Sequence, residues 1–135
     1  MAELDLDPKV LDRPVRQLSK GMTQKLGLAA SLLLERDLYI LDEPMGGLDP
    51  AGRIAVKSAL AQLQRAGRAV FFTSHVLADV DELCPSLIVL EQGLVRFDGA
   101  PAALLERYQE SNLERAYLKC VRGENHAERG ADESG

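Results

Sequence analysis

The period of the apolar positions predicts alternating helices and strands from Leu18 onward. Between Met22 and Leu34, the spacing of Leu26, Ala30 and Leu33 fits one helical face, and Leu28 with Leu32 makes the other side apolar, which predicts a largely buried helix. Leu38-Tyr39-Ile40-Leu41 is a short continuous apolar run that ends in Asp42-Glu43-Pro44. That is the pattern of a strand covered on both faces and stopped by proline. Asp49-Pro50 offers a cap and a first-turn proline to a helix with the stripe Val56, Leu60 and Leu63, fading at Gly67. Ala69 to Thr73 reads as a second buried strand. Strand, helix and strand over Leu38 to Thr73 form a βαβ unit, whose strands run parallel if they share a sheet. The fold class is α/β.

Further along, Val76 to Leu83 predicts a short helix before Pro85. Leu87 to Leu90 and Leu94 to Asp98 flank Glu91-Gln92-Gly93 as a hairpin, with Val95 and Phe97 facing one way. Pro101 to Gln109 predicts a helix with Leu104, Leu105 and Tyr108 on one side, and Ser111 with Glu114 makes a capping-box pattern before Tyr117. Residues 1 to 17, interrupted by Pro8 and Pro14, read as a lead-in segment. From Gly123 onward no apolar residue exceeds Ala, and Glu124, Glu128, Asp132 and Glu133 stand against Arg129. Residues 123 to 135 are therefore expected to be a disordered acidic tail.

Composition narrows the function classes more than it changes the fold. A chain of 135 residues with 46% hydrophobic and 27% charged residues is material for one globular domain. A net charge of -5 provides no basic face, so no nucleic acid partner is expected. The longest apolar and small run, Leu26 to Leu34, falls short of the roughly 18 residues of a membrane span. The N-terminus lacks the basic segment and apolar core of a secretory signal, which predicts an intracellular chain. Cys84 and Cys120 are widely separated with no Cys or His at ligand spacing, consistent with reduced thiols and no zinc site.

Candidate chemistry falls on loops around the βαβ unit. Leu18-Ser19-Lys20-Gly21-Met22 precedes the first helix, where unpaired backbone N–H groups attract anions, and no acidic residue in its first turn offsets the dipole. Asp42-Glu43 ends the first strand, and the carboxyl ends of parallel strands are where open α/β sheets bind ligands. One carboxylate can hold a hydrated Mg²⁺ while the next, pointing oppositely, polarises a water. Thr73-Ser74-His75 ends the second strand, so parallel geometry brings His75 to the same sheet edge as the carboxylates. Met45 to Pro50 is a glycine turn followed by the Asp49 cap. Taken singly, these segments also read as a plain N-cap at Ser19, solvated carboxylates at Asp42 and Glu43, and a loop histidine at His75.

Taken together, LSKGMTQKLGLA, LYILDEPMGGLDP and FFTSHVL resemble, in that order and spacing, the ATPase domain of ABC transporters. They correspond to its signature, Walker B, D-loop and H-loop. The resemblance covers roughly Leu18 to Leu83, and the following hairpin with Ser111 to Leu118 is similar to the C-terminal part of exporter-type members. It implies a P-loop NTPase-like fold, with ATP and Mg²⁺ as cofactors. Ser19, Lys20 and Gly21 would form the signature contact to a γ-phosphate. Asp42 would be the Mg²⁺ partner, Glu43 the general base, His75 the γ-phosphate switch, and Asp49 a dimer-interface residue. Implied partners are a second ATPase domain and a membrane permease subunit that would hold the chain at the cytoplasmic face of a membrane. The implied activity is ATP hydrolysis that powers export.

The sequence departs from that pattern in two ways. The usual Gly-Gly-Gln of the signature is Lys20-Gly21-Met22, a form associated with exporter and multidrug-type branches. No G-x-x-x-x-G-K-[ST] occurs, and the glutamine loop is missing too. The expectation is therefore that residues 1 to 122 are the C-terminal part of an ATPase domain, inactive alone and either marginally stable or aggregation-prone. Alternatives sharing these motifs are a non-transport ABC ATPase acting on nucleic acid or the ribosome, and a non-catalytic fragment that pairs with an intact ATPase domain.

Overall fold

The Ser19 hydroxyl accepts from Met22 N at 3.2 Å and its carbonyl accepts from Thr23 N at 2.9 Å, starting helix α1 (Lys20–Leu32). In the computed structural model, which describes residues 12–123, the chain continues as β1 (Leu38–Leu41), α2 (Pro50–Arg65) and β2 (Ala69–Phe72). These form the first of two compact units, which part between His75 and Val76. Asp49 caps α2 by accepting from Gly52 N at 3.0 Å, with Pro50 at the first helical position. The helix ends as expected at Gly67. Its φ of +75° lets Gly67 N and Arg68 N donate back to the carbonyls of Gln64 and Leu63, a Schellman ending.

β1 and β2 are parallel, with Leu38 opposite Ala69 and Leu41 opposite Phe72, as the βαβ pattern predicts. Asp37 O accepts from Ala69 N at 2.8 Å to begin the ladder, and the Arg68 guanidinium pairs with Asp37 beside it. Leu28, Ala29, Tyr39, Met45, Val56, Ala59 and Leu60 are the buried apolar residues of this unit. Tyr39 keeps its phenol satisfied by accepting from Arg36 N at 3.0 Å.

Two expectations need correction here. α1 is not largely buried: only Leu28 and Ala29 are inside, and the helix stops at Leu32, leaving Leu33 and Leu34 exposed. Nor is the sheet covered on both faces. Alternation turns Tyr39 inward, while Leu38, Ile40 (72% exposed) and Phe71 (51% exposed) lie open, with Ile40 and Phe71 adjacent in register. α2 packs on β2 and α1 on α2, and within this unit the described residues of the other face stand open. An apolar face of this kind drives association. The 135-residue chain should self-associate in dilute buffer, and the pair Ile40→Thr, Phe71→Thr should shift it toward monomer while keeping β propensity. Sedimentation velocity checks this, and equal association of the two forms would count against it.

The second unit holds α3 (Leu77–Leu83), β3 (Leu87–Glu91), β4 (Leu94–Gly99), α4 (Pro101–Tyr108) and α5 (Leu113–Arg122). β3 and β4 form the expected antiparallel hairpin. Its two-residue turn places Gln92 and Gly93 at φ of +52° and +76°, the conformation of a type I′ turn. Val95 and Phe97 do not share a face as expected. The register shifts after Val89, so Val89 pairs with Phe97 but Leu90 pairs with Val95, and Arg96 is the extra residue of a bulge. Phe97 is thus buried while Val95 is 62% exposed.

The core of this unit joins Val89, Phe97, Leu104, Tyr108, Leu113, Ala116 and Cys120. α5 is capped not by Ser111, as the capping-box pattern suggests, but by Asn112, which accepts from Arg115 N at 3.1 Å. Asn is an equally strong cap, and starting one residue later turns Leu113, Ala116 and Cys120 inward. Lys119 Nζ closes the α4–α5 connection, with Glu110 Oε1 at 2.6 Å and Tyr108 O at 3.3 Å. Burial pushes the Tyr108 phenol up, its bond to Cys120 adds to the rise, and the nearby Arg107 charge opposes it. Burial likewise raises the Cys84 thiol, which keeps it protonated and a poor nucleophile. The expected acidic tail lies outside the described residues apart from Gly123, which ends α5 at φ +72°. Of the lead-in segment, the described part includes the 3₁₀ turn Val15–Gln17.

Candidate functional site

The β1–β2 ladder continues one residue past the strands, with Thr73 N donating to Leu41 O at 3.0 Å. This sets Thr73 beside Asp42, and its hydroxyl donates to Asp42 Oδ1 at 2.5 Å while accepting from Glu43 N at 3.0 Å. Two residues later His75 Nδ1 stands 2.8 Å from Glu43 Oε1. The sequence-derived expectation that His75 shares a sheet edge with the carboxylates therefore holds at hydrogen-bond distance. Glu43 is half-buried, whereas His75 and Asp42 are exposed at the edge.

Glu43 adopts φ +45°, a left-handed conformation uncommon for a residue with a side chain. Neighbours hold it there. Its carbonyl accepts from Gly46 N at 2.9 Å, closing a turn, and from Gln24 Nε2 of α1 at 2.7 Å. Gly46 lets the turn close tightly, since an added Cβ would come within 3.1 Å of that carbonyl oxygen.

The same turn packs against the start of α1. A Cβ on Gly21 would meet Gly47 O at 3.4 Å and Leu48 Cδ2 at 3.5 Å, and the Lys20 side chain lies over Gly47. Lys25 Nζ is 3.8 Å from Asp49 Oδ1, tying the second turn of α1 to the cap of α2. Ser19, Lys20, Gly21 and Asp49 thus share one edge with Gly46 and Gly47, and Ser19 and Lys20 are exposed on it. An open groove of about 510 Å³ runs from Lys20 and Gln24 of α1 to Asp42 and Pro44. Its rim combines a cationic side chain, the dipole-positive start of α1 and a carboxylate, a combination suited to an anion that carries a hard cation.

All the candidate residues fall in the first unit, and the structure gathers them into two groups: Asp42, Glu43 and His75 at the strand ends, and Ser19, Lys20, Gly21 and Asp49 at the helix starts. The plain capping roles of Ser19 and Asp49 are also present. His126 lies outside the described residues. Sequence reasoning missed Gln24 and Thr73, which hold Glu43 by its backbone. Thr73 was within reach from strand register alone, because it is the residue opposite Asp42 once the parallel ladder is extended. Gln24 carries a weaker signal, a long amide near the start of a helix facing a glycine turn.

Residues 1–46 match the family model for ABC transporters. Among curated relatives, an uncharacterised ABC transporter ATP-binding protein of Synechocystis is 41% identical over 69% of this chain and 26% of its own length. Nod factor export ATP-binding protein I of Sinorhizobium fredii is 41% identical over 70% of this chain and 28% of its own. The ABC transporter ATP-binding protein NatA of Bacillus subtilis is 34% identical over 84% of this chain and 46% of its own. A solved structure of the ATP-binding subunit of an ABC transporter superposes with a TM-score of 0.74 at 29% identity, covering 79% of this chain and 45% of that one. The chain thus spans a quarter to a half of the length of these relatives. Sequence and fold agree, and the chain belongs to the ABC transporter ATP-binding family.

Proposed function

We propose that this chain is part of the ATP-hydrolysing subunit of an ABC transporter, in which hydrolysis drives export through a separate membrane permease subunit. The observation that carries the reading is the 2.8 Å contact of His75 Nδ1 with Glu43 Oε1 at the carboxyl ends of parallel strands. In this reading Glu43 is the general base. His75 occupies one carboxylate oxygen and fixes the rotamer, leaving Oε2 to take a proton from water. Asp42 offers a hard oxygen donor for Mg²⁺, the chemistry that ion selects, and the exposed carboxylate fits it. Bound Mg²⁺ would neutralise charge that develops on the phosphates. Ser19, Lys20 and Gly21 present a hydroxyl, a cation and the N–H groups of a helix start to the terminal phosphate of a nucleotide. Asp49 and the adjoining glycine turn lie on that same edge, where a second ATPase domain would dock. Attachment to the permease would hold the subunit at the cytoplasmic face of the membrane.

The sequence contains no G-x-x-x-x-G-K-[ST] loop to cradle the remaining phosphates. The test is therefore a comparison of the 135-residue chain with a form extended upstream through a phosphate-binding loop. Silence from the chain and Mg²⁺-dependent ATP turnover by the extended form support the proposal. Turnover by the chain itself would mean that phosphate is held elsewhere, and would overturn the site assignment. The shared edge of Ser19–Gly21 and Gly46–Asp49 also favours a second reading, in which the chain docks on an intact ATPase domain without adding activity. Co-purification with such a domain at unchanged turnover would select it.

A further inference from the structure

We propose that Thr73 is a positioning residue for the Asp42–Glu43 pair, a single hydroxyl that aims the carboxylate of one and pins the backbone of the other. The inference rests on reading those residues as Mg²⁺ partner and general base.

A threonine hydroxyl has one proton to donate and lone pairs to accept with. Here the proton goes to Asp42 Oδ1 at 2.5 Å, which fixes the rotation of the hydroxyl and turns a lone pair to Glu43 N at 3.0 Å. Each bond thereby orients the other. The scaffold under them is stiff: Thr73 is β-branched, and its own amide is held by Leu41 O at the end of the parallel ladder. Asp42 consequently presents Oδ2 in a defined direction, although its side chain is exposed and would otherwise rotate.

The consequence for Glu43 is larger, because its backbone sits at φ +45° and relies on neighbours to stay there. Gln24 and Gly46 hold its carbonyl, and Thr73 alone of the described side chains holds its amide. Removing the hydroxyl frees one side of the turn and lets the Glu43 side chain drift from His75. One strand end thus supplies both groups that orient the base: His75 for its carboxylate and Thr73 for its backbone.

Thr73→Val keeps the shape and removes the hydroxyl, and Thr73→Ser restores it. In the upstream-extended form, Thr73→Val should lower kcat roughly 10- to 100-fold, the range for losing an orienting outer partner. KM for ATP should change little, and Thr73→Ser should recover most of the rate. A Thr73→Val enzyme with the parental kcat, alongside a dead Glu43→Gln, would overturn the positioning role and leave the functional reading standing. Turnover that survives Glu43→Gln would overturn the functional reading itself. A second measurement needs no nucleotide: in the 135-residue chain, Glu43 amide hydrogen exchange should speed up in Thr73→Val and not in Thr73→Ser. The Leu41 and Phe71 amides, which lie within the β1–β2 ladder, report that the strands remain paired. Unchanged Glu43 exchange in a folded Thr73→Val chain would refute the proposal whatever the rates show.

Discussion

Glu43→Gln is expected to lower ATP turnover of the upstream-extended form by roughly two to four orders of magnitude, the contribution of a positioned general base. The substitution isolates proton transfer because the bonds that hold the Glu43 turn are made by backbone atoms: its N–H to Thr73 Oγ1, and its carbonyl to Gly46 N and Gln24 Nε2. A glutamine can keep these bonds, and its amide oxygen can still accept from His75 Nδ1. What it loses is basicity. Nucleotide binding should therefore persist while phosphate release stops, as measured by nucleotide titration and steady-state phosphate assay on one preparation. His75→Ala should cost less than Glu43→Gln, since it removes the group that orients the base and leaves the base itself. Should His75→Ala match the parental rate while Glu43→Gln abolishes it, the 2.8 Å contact would have no catalytic consequence.

Much of the fold was legible because local and tertiary demands agree there. Asp49-Pro50 begins α2 and Gly67 ends it, each by a short-range mechanism that packing does not oppose. The parallel pairing of β1 with β2 follows from the helix between them, and it delivers His75 to Glu43 without further information. The misses have a common cause. Periodicity reports which residues are apolar but not what covers them, so Ile40 and Phe71 look like core residues and stand open among the described elements. A one-residue bulge at Arg96 inverts the face of Val95, and no composition rule marks its place. Ser111 and Asn112 are neighbouring strong caps, and only the inward turn of Leu113, Ala116 and Cys120 decides between them. At the candidate site, the residues with obvious chemistry were visible, while those that hold Glu43 by its backbone were not. A backbone bond depends on register and turn conformation rather than on residue type, and Thr73 and Gln24 are ordinary residues until the turn at φ +45° brings them into use.

Leu104→Ala should unfold the second unit under conditions where the parent chain is folded. Leu104 is fully buried, with 0% exposure, and belongs to the cluster that includes Phe97 of β4, Tyr108 of α4 and Ala116 of α5. Truncating a leucine at such a site costs about 2–5 kcal/mol, the lost transfer energy plus the cavity left behind. A small unit has little stability in reserve because it buries a smaller fraction of its surface than a large one. Relaxation into the cavity is also restricted. Tyr108 is anchored through its backbone carbonyl by Lys119, whose other partner is Glu110, so the α4–α5 turn cannot easily close in. Leu104→Met, which nearly conserves volume, should cost less than about 1.5 kcal/mol and serves as the control. Amide exchange at Val89, Phe97 and Ala116 reads the effect directly, because the hairpin and α5 should lose protection together if the cluster is one cooperative piece. Protection lost at α4 alone would mean that Leu104 anchors only its own helix, and that the hairpin and α5 hold together without it.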